Sequence, residues 1–194
     1  NEAFATLMGE VIVLDRVFPA WKSASEFVVM HWMRALQLDA KRSSHQIEIP
    51  LQSERVEDEI TQVFDDISYS KGASVLRMLS HMLGKDVFLR GVSLYLKKHL
   101  YGSTVTADLW DGISQAAGID VNTIMSNWIL QQGFPVISAT EKGDSIYVEQ
   151  HRFLQTGDPT PEEDSTLWHV PLGLKTKKYV DSKSMPVSYT HLTL

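Results

Sequence analysis

The chain has 194 residues, 43% of them hydrophobic and 22% charged, with 18 basic residues against 24 acidic ones and a formal charge of -6. That is an ordinary globular composition, long enough to bury a sizeable core, and its acidic balance argues against nucleic acid as a partner. It has no cysteines, which rules out a disulfide framework and fits a reducing compartment; the cytoplasm is the expected location. No apolar run approaches the roughly 20 residues of a membrane helix, so no membrane segment is expected. The short basic clusters at Lys97-Lys98-His99 and Lys175 to Lys178 read as solvated surface.

In chain order, residues 2–14 read as a helix apolar on most sides, hence buried. A second helix is expected over 21–38, with Phe27, Met30, Met33 (or Arg34) and Leu38 at three- and four-residue spacing. Residues 43–50 look like a loop or short extended segment, and 55–66 like a further helix or turn. Residues 70–83 form a clear helical pattern through Val75, Leu76, Leu79, Met82 and Leu83, with Gly84 where a left-handed cap wants glycine. Another helix is expected over 86–100 with Asp86 as N-cap, carrying Phe88, Leu89, Val92, Tyr95 and Leu96. Helices over 106–117, ending before Gly118, and over 121–131 complete the series.

At Gly133-Phe134-Pro135 the pattern changes. Residues 136–140 and 145–150 alternate as strands, and Lys142-Gly143-Asp144 joins them into a hairpin that Arg152-Phe153-Leu154 prolongs. Residues 156–165 are rich in Pro, Asp and Glu and read as an exposed loop. Residues 167–174 suggest a third strand. The expected organisation is 1–132 helical, 133–185 the start of a β sandwich, and 186–194 a stretch that continues neither pattern and resembles a translated adapter or vector tail.

Two segments carry candidate chemistry. The first is Asn1-Glu2-Ala3-Phe4-Ala5, which puts a carboxylate at the start of an apolar helix. Such a group is costly to bury unless paired or metal-bound. On position alone, a Glu favouring the helix macrodipole is the stronger reading. The second is Phe64-Asp65-Asp66-Ile67-Ser68-Tyr69-Ser70-Lys71-Gly72. A tyrosine in a turn before a helix can aim its hydroxyl at a cleft, although a lone Tyr more often packs in a core with its hydroxyl bonded to backbone.

Taken together, the two segments resemble the N-E-G-F-A and F-D-x-I-S-Y-x-K-G motifs of the gluzincin (M1) aminopeptidases, with a flavour closest to the fungal cytosolic and puromycin-sensitive-like enzymes. The resemblance extends through Ala73 to Leu79, the junction Trp128 to Val136 and the segment Gln150-His151-Arg152-Phe153-Leu154, covering about residues 1–180. It implies an α+β multidomain fragment: the C-terminal helical half of a thermolysin-like catalytic domain, followed by the start of a small β sandwich. It further implies a Zn2+ cofactor with Glu2 as metal ligand, peptide substrates cleaved at their N-terminus by zinc-activated water, and Tyr69 as the catalytic residue that steadies the oxyanion.

By the same resemblance, two His ligands from H-E-x-x-H, the general base and a G-A-M-E-N loop are expected before residue 1, so the chain alone is expected to be inactive. Ala3 departs from the family's Gly and Gln46 from its Pro. A leukotriene-A4-hydrolase-like enzyme, which usually reads P-Y-E-K-G at Ser68 to Gly72, and a non-catalytic scaffold with a degenerate zinc site remain alternatives.

Of the other polar residues, Lys71 reads as an anchor of the turn, and Arg77 as a group that could reach the cleft or pair with a carboxylate. Asp65 and Asp66 read as capping or pairing carboxylates, and Glu10 as a surface or salt-bridged one. His45 is not expected to be a metal ligand. His81, His99, His151 and His169 have no ligand spacing among themselves.

Overall fold

The computed structural model describes residues 2–49, 64–143, 145–173, 185–187 and 192–193. Helix α1 (residues 2–17) is α-wound over Glu2–Thr6, widens to π turns over Leu7–Val13 and returns to α over Leu14–Val17. A tight turn at Pro19–Trp21, followed by Lys22 with φ 53°, leads into α2 (residues 23–39), which has its own π-wound stretch at Val28–Trp32. Helix α3 (residues 67–83) begins with π turns over Ile67–Lys71 and continues as Gly72–Leu83. Helices α4 (Lys85–Lys98), α5 (Thr106–Ala117) and α6 (Val121–Ile129) follow.

The stop and start signals act largely as the residues predict. Gly84 ends α3 at φ 83° and Gly118 follows α5 in the left-handed region. Asp108 accepts the Val105 N–H at 2.9 Å at the head of α5, and Asp120 accepts the Thr123 N–H at 3.1 Å at the head of α6. Asp86 is not an N-cap: Gly84 alone separates α3 from α4, so Asp86 lies inside the first turn of α4, where it complements the macrodipole.

Two faces differ from expectation. In α1, Leu7, Val11 and Ile12 are buried, but Val13 and Val17 are 48% and 56% exposed, so this helix is only half covered. In α2, Phe27, Ala35 and Asp39 face inward while Met30 and Met33 lie exposed. The cause is the wide turn at Val28–Trp32. A π turn holds more residues than an α turn, so it slips the phase of a 3.6-residue stripe. The expected turn or helix over 55–66 lies outside the described residues up to 63.

Helices α4 and α5 cross closely because each carries a glycine there, Gly91 against Ile113 and Gly112 against Tyr95. A Cβ on Gly91 would lie 2.5 Å from the Ile113 Cα. One apolar cluster unites the inner faces of these helices, with Leu79, Phe88, Ile113, Val121 and Met125 all fully covered, and it also takes in Trp168 from beyond the helices.

Strands β1 (Pro135–Lys142) and β2 (Ser145–Arg152) pair antiparallel, with Val136 opposite His151 and Lys142 opposite Ser145. The hairpin is the expected one; Asp144 of its turn lies outside the described residues. Strand β2 stops at Arg152 rather than running through Leu154, although the Phe153 N–H still reaches the opposite Phe134 carbonyl at 3.0 Å and their rings stack at 5.4 Å. The third strand is short: β3 (Val170–Leu172) pairs with β4 (Met185–Val187), and β5 (Leu192–Thr193) joins β2. Backbone at 185–187 and 192–193, reaching into the stretch that continues neither pattern, thus contributes two pairings. The architecture is a helical part followed by the start of a β region.

Residues 167–169 are clipped by two side-chain amides. Asn127 on α6 donates to the Leu167 carbonyl and accepts the His169 N–H, both at 2.8 Å. Gln150 on β2 donates to the Trp168 carbonyl at 3.1 Å and accepts its N–H at 2.8 Å. Each amide replaces a backbone partner, so Trp168 enters the core without orphaned main-chain groups.

The acidic loop at 156–165 is held by Arg42. Its Nε and Nη2 donate to the Glu163 carboxylate at 2.8 and 3.1 Å, and its Nη1 and Nη2 donate to the Thr156 and Asp158 carbonyls. The Arg42 hydrogen bonds, aided by the Thr160 N–H, hold the Glu163 carboxyl down to about 2. A depressed folded-state value stabilises the fold above the usual carboxylate range, and that contribution fades as pH falls toward about 2. In the Arg42→Ala variant, the Glu163 midpoint followed by NMR should return toward 4.5, the ordinary value, and the acid unfolding transition should move up in pH. An unchanged midpoint would disprove the clamp.

Candidate active site

Glu2 sits in the first turn of α1 and is half-buried. A hydrogen bond from its own backbone N–H holds its carboxyl below the usual range, against a smaller opposing effect of burial. It lines a cleft of about 710 Å³ together with Ala3, Glu48, Ser68, Tyr95 and Trp110. Helix α1 packs against both parts of α3: its π-wound start and Gly72–Leu83.

Glycine at position 72 makes that approach possible. A Cβ there would lie 2.6 Å from the Ala3 Cβ, closer than any real contact. The methyl group by which Ala3 departs from the family's Gly is therefore pressed against Gly72, and the crowding expected from the substitution falls on the seam between the two motif-bearing helices.

Tyr69 lies on the second of these helices. Asp65 caps its start: Oδ1 accepts the Ile67 and Ser68 N–H groups at 2.9 and 3.2 Å, and Oδ2 meets His45 Nε2 at 2.9 Å. His45 Nδ1 donates to the Gln46 carbonyl at 2.7 Å, so His45 joins the loop after α2 to the turn before Tyr69. Asp66 accepts the Ser70 hydroxyl at 2.9 Å. Both acids thus cap or pair, as their positions suggest.

Tyr69 itself is 38% exposed. Among the described residues its hydroxyl has no hydrogen-bond partner. It does not have the buried, backbone-bonded placement usual for a lone tyrosine. Its ring is not part of the cleft lining, whereas the preceding Ser68 is. The structure therefore brings the Glu2 turn and the Tyr69 turn into contact, with Glu2 and Ser68 in the cleft lining and the phenol outside it.

The turn's other anchor is Lys71, almost wholly buried. Its ammonium donates to Asp39 Oδ2 at 2.8 Å and to the Gln131 and Gly133 carbonyls at 3.1 and 3.0 Å. Three donors meet three acceptors. Burial pushes this ammonium below the usual lysine range, with Asp39 opposing. Asp39 Oδ1 also accepts the Ser44 hydroxyl at 2.6 Å and the Gly133 N–H at 3.0 Å.

Sequence reasoning finds Lys71 but misses Asp39. The available signal is a carboxylate in the last turn of a helix, where the macrodipole disfavours it and a dedicated partner is needed.

Among the described residues Arg77 neither pairs with a carboxylate nor lines the Glu2 cleft. Its guanidinium lies 5.0 Å over the Phe27 ring and lines a second, mainly apolar cavity of about 530 Å³ with Trp32, Asp39, Lys71 and His81. Burial lowers its pKa from the ordinary arginine value. Among the described residues no group of three His, Asp or Glu side chains could hold a metal ion.

The sequence matches the Peptidase family M1 domain over residues 1–128, a match that ends in the last turn of α6. The chain belongs to peptidase family M1. This M1 chain is 49% identical to Aminopeptidase 2 of Candida albicans over 95% of its length, 46% identical to the alanine/arginine aminopeptidase of Saccharomyces cerevisiae over 94%, and 39% identical to Aminopeptidase M1 of Arabidopsis thaliana over 95%. It spans about a fifth of the length of these relatives, at 20%, 21% and 20%. Among the described residues no helix is long and apolar enough to cross a membrane.

The Ala3–Gly72 contact gives a direct test of the seam. Gly72→Ala should cost about 1–3 kcal/mol by overpacking, read as a lower urea midpoint with an unchanged m-value. Ala3→Gly in the same chain should recover most of the loss, and no recovery would mean that the two helices do not meet there.

Proposed function

We propose that this M1 chain supplies two parts of a zinc aminopeptidase active site: Glu2 as one metal-ligating carboxylate and Tyr69 as a hydrogen-bond donor to the oxyanion formed from the scissile carbonyl. The observation that carries the reading is the packing of the Glu2 turn against the Tyr69 turn at the edge of one cleft. Family membership and the names of the relatives, aminopeptidases of fungi and plants, support it.

Zinc, when bound, would lower the pKa of a water and polarise the substrate carbonyl. Glu2 fits the part of a ligand because its carboxyl is ionised, half-exposed and directed to a cleft. The remaining ligands and the general base would come from elsewhere in a longer polypeptide, so the 194-residue chain by itself is inactive. Tyr69 fits its part because its hydroxyl is accessible and uncommitted among the described residues, while Asp65 and Lys71 fix the backbone on either side. A neutral phenol donates without carrying charge in the resting state, and the developing oxyanion strengthens the bond only as the reaction proceeds.

The substrates are peptides with a free N-terminus, and the division near residue 133 separates the catalytic helices from a small β domain. The test uses the full-length parent enzyme and an aminoacyl p-nitroanilide. Tyr69→Phe should lower kcat about 100- to 1,000-fold with zinc content intact, and Glu2→Gln should lose zinc and activity together. Wild-type kcat in Tyr69→Phe, or full zinc occupancy in Glu2→Gln, would overturn the assignment.

A further inference from the structure

Three π-wound stretches among the described residues, Leu7–Val13, Val28–Trp32 and Ile67–Lys71, each contribute one side chain to a single hydrogen-bonded chain. Glu10 comes from the first, His31 from the second and Ser70 from the third. His31 Nε2 meets Glu10 Oε2 at 2.7 Å, and His31 Nδ1 meets Ser70 Oγ at 3.0 Å. Ser70 Oγ in turn donates to Asp66 at 2.9 Å.

A carboxylate only accepts, so Nε2 donates to Glu10, while His31 Nδ1 and the Asp66 carboxylate share the Ser70 hydroxyl. The imidazole is held face-on by Phe27, 5.0 Å away, a ring that also lies 5.0 Å from the Arg77 guanidinium. Its side chain is 17% exposed and Ser70 is fully buried, whereas Glu10 is open to solvent at 59%.

π turns are uncommon and cost backbone regularity. Here they bring residues from three helices to one imidazole. Ser70 is the immediate neighbour of Tyr69, and Glu10 rides on the helix that begins with Glu2. We propose that His31 is a positioning residue for Tyr69: it ties the helix bearing Glu2 to the turn bearing Tyr69 and fixes the register between them. The inference rests on the role proposed above for Tyr69.

A residue acting this way leaves metal binding and ground-state affinity alone and affects the rate of the chemical step, since small misplacements of a reacting group are costly there. In the full-length parent enzyme, His31→Ala should lower kcat about 10- to 100-fold, with KM and zinc content as in wild type. Glu10→Ala should lower kcat in the same sense, and the double variant should be no slower than His31→Ala, because the tie is already broken. Hydrogen–deuterium exchange of the same proteins should show faster exchange of the Tyr69 to Lys71 amides in His31→Ala, with Lys85–Lys98 unchanged.

Wild-type kcat and exchange in a folded His31→Ala protein would overturn the proposal, as would a fall in kcat that tracks loss of zinc. Should the wild-type enzyme hydrolyse no aminoacyl p-nitroanilide, the aminopeptidase reading fails, and the exchange data alone still decide whether His31 holds the turn.

Discussion

The buried pair between Asp39 and Lys71 is the constraint on which the rest of this structure depends. Side chains at the end of α2 and in the first turns of α3 meet at 2.8 Å with almost no solvent contact. Removing two charges from water costs several kcal/mol per ion, and their attraction offsets this only when the remaining hydrogen-bonding capacity is filled. Here it is filled by the Gln131 and Gly133 carbonyls, the Gly133 N–H and the Ser44 hydroxyl. The pair is therefore a geometric fastening more than a source of net stability. It sets where α2 ends, where α3 begins and where the chain leaves the helices for the hairpin.

From that fastening the candidate site follows. Lys71 lies two residues beyond Tyr69, and Asp65 caps the same turn from the other side, so the backbone at Tyr69 is held at both ends. The close approach of Ala3 to Gly72 brings α1, and Glu2 with it, onto that turn. The Asp39–Lys71 pair behind the turn is buried and fully partnered, while Glu2 lines a cleft and Tyr69 is partly exposed. Rigid support behind accessible chemical groups is the arrangement that preorganised catalysis requires.

Much of this was legible in the sequence. Gly84, Gly118 and the alternation around Gly143 mark caps and a hairpin because backbone conformation there is dictated by one residue. Glu2 and Tyr69 stand out through the motifs around them, and Lys71 through its place in a turn. What was not legible depends on wide helical turns and on contacts across tens of residues. The π turns in α1 and α2 shift the apolar stripe, so Met30 and Met33 face outward although their spacing suits a core. Asp39 and Lys71 are far apart in sequence and neither carries a local sign of the other. The clips made by Asn127 and Gln150 use polar residues that periodicity assigns to the surface, and Glu10 reads as an ordinary surface carboxylate until His31 is seen against it.

The central claim, that the Asp39–Lys71 pair fastens the helices to the hairpin junction, is tested most directly by a double-mutant cycle in urea denaturation. Asp39→Asn and Lys71→Met are made singly and together. Either single change leaves a buried charge without its partner and should cost about 3–5 kcal/mol. The double variant should cost clearly less than the sum of the two, because neither charge is then stranded. Additive losses, or singles that cost less than about 1 kcal/mol as exposed ion pairs do, would contradict the account.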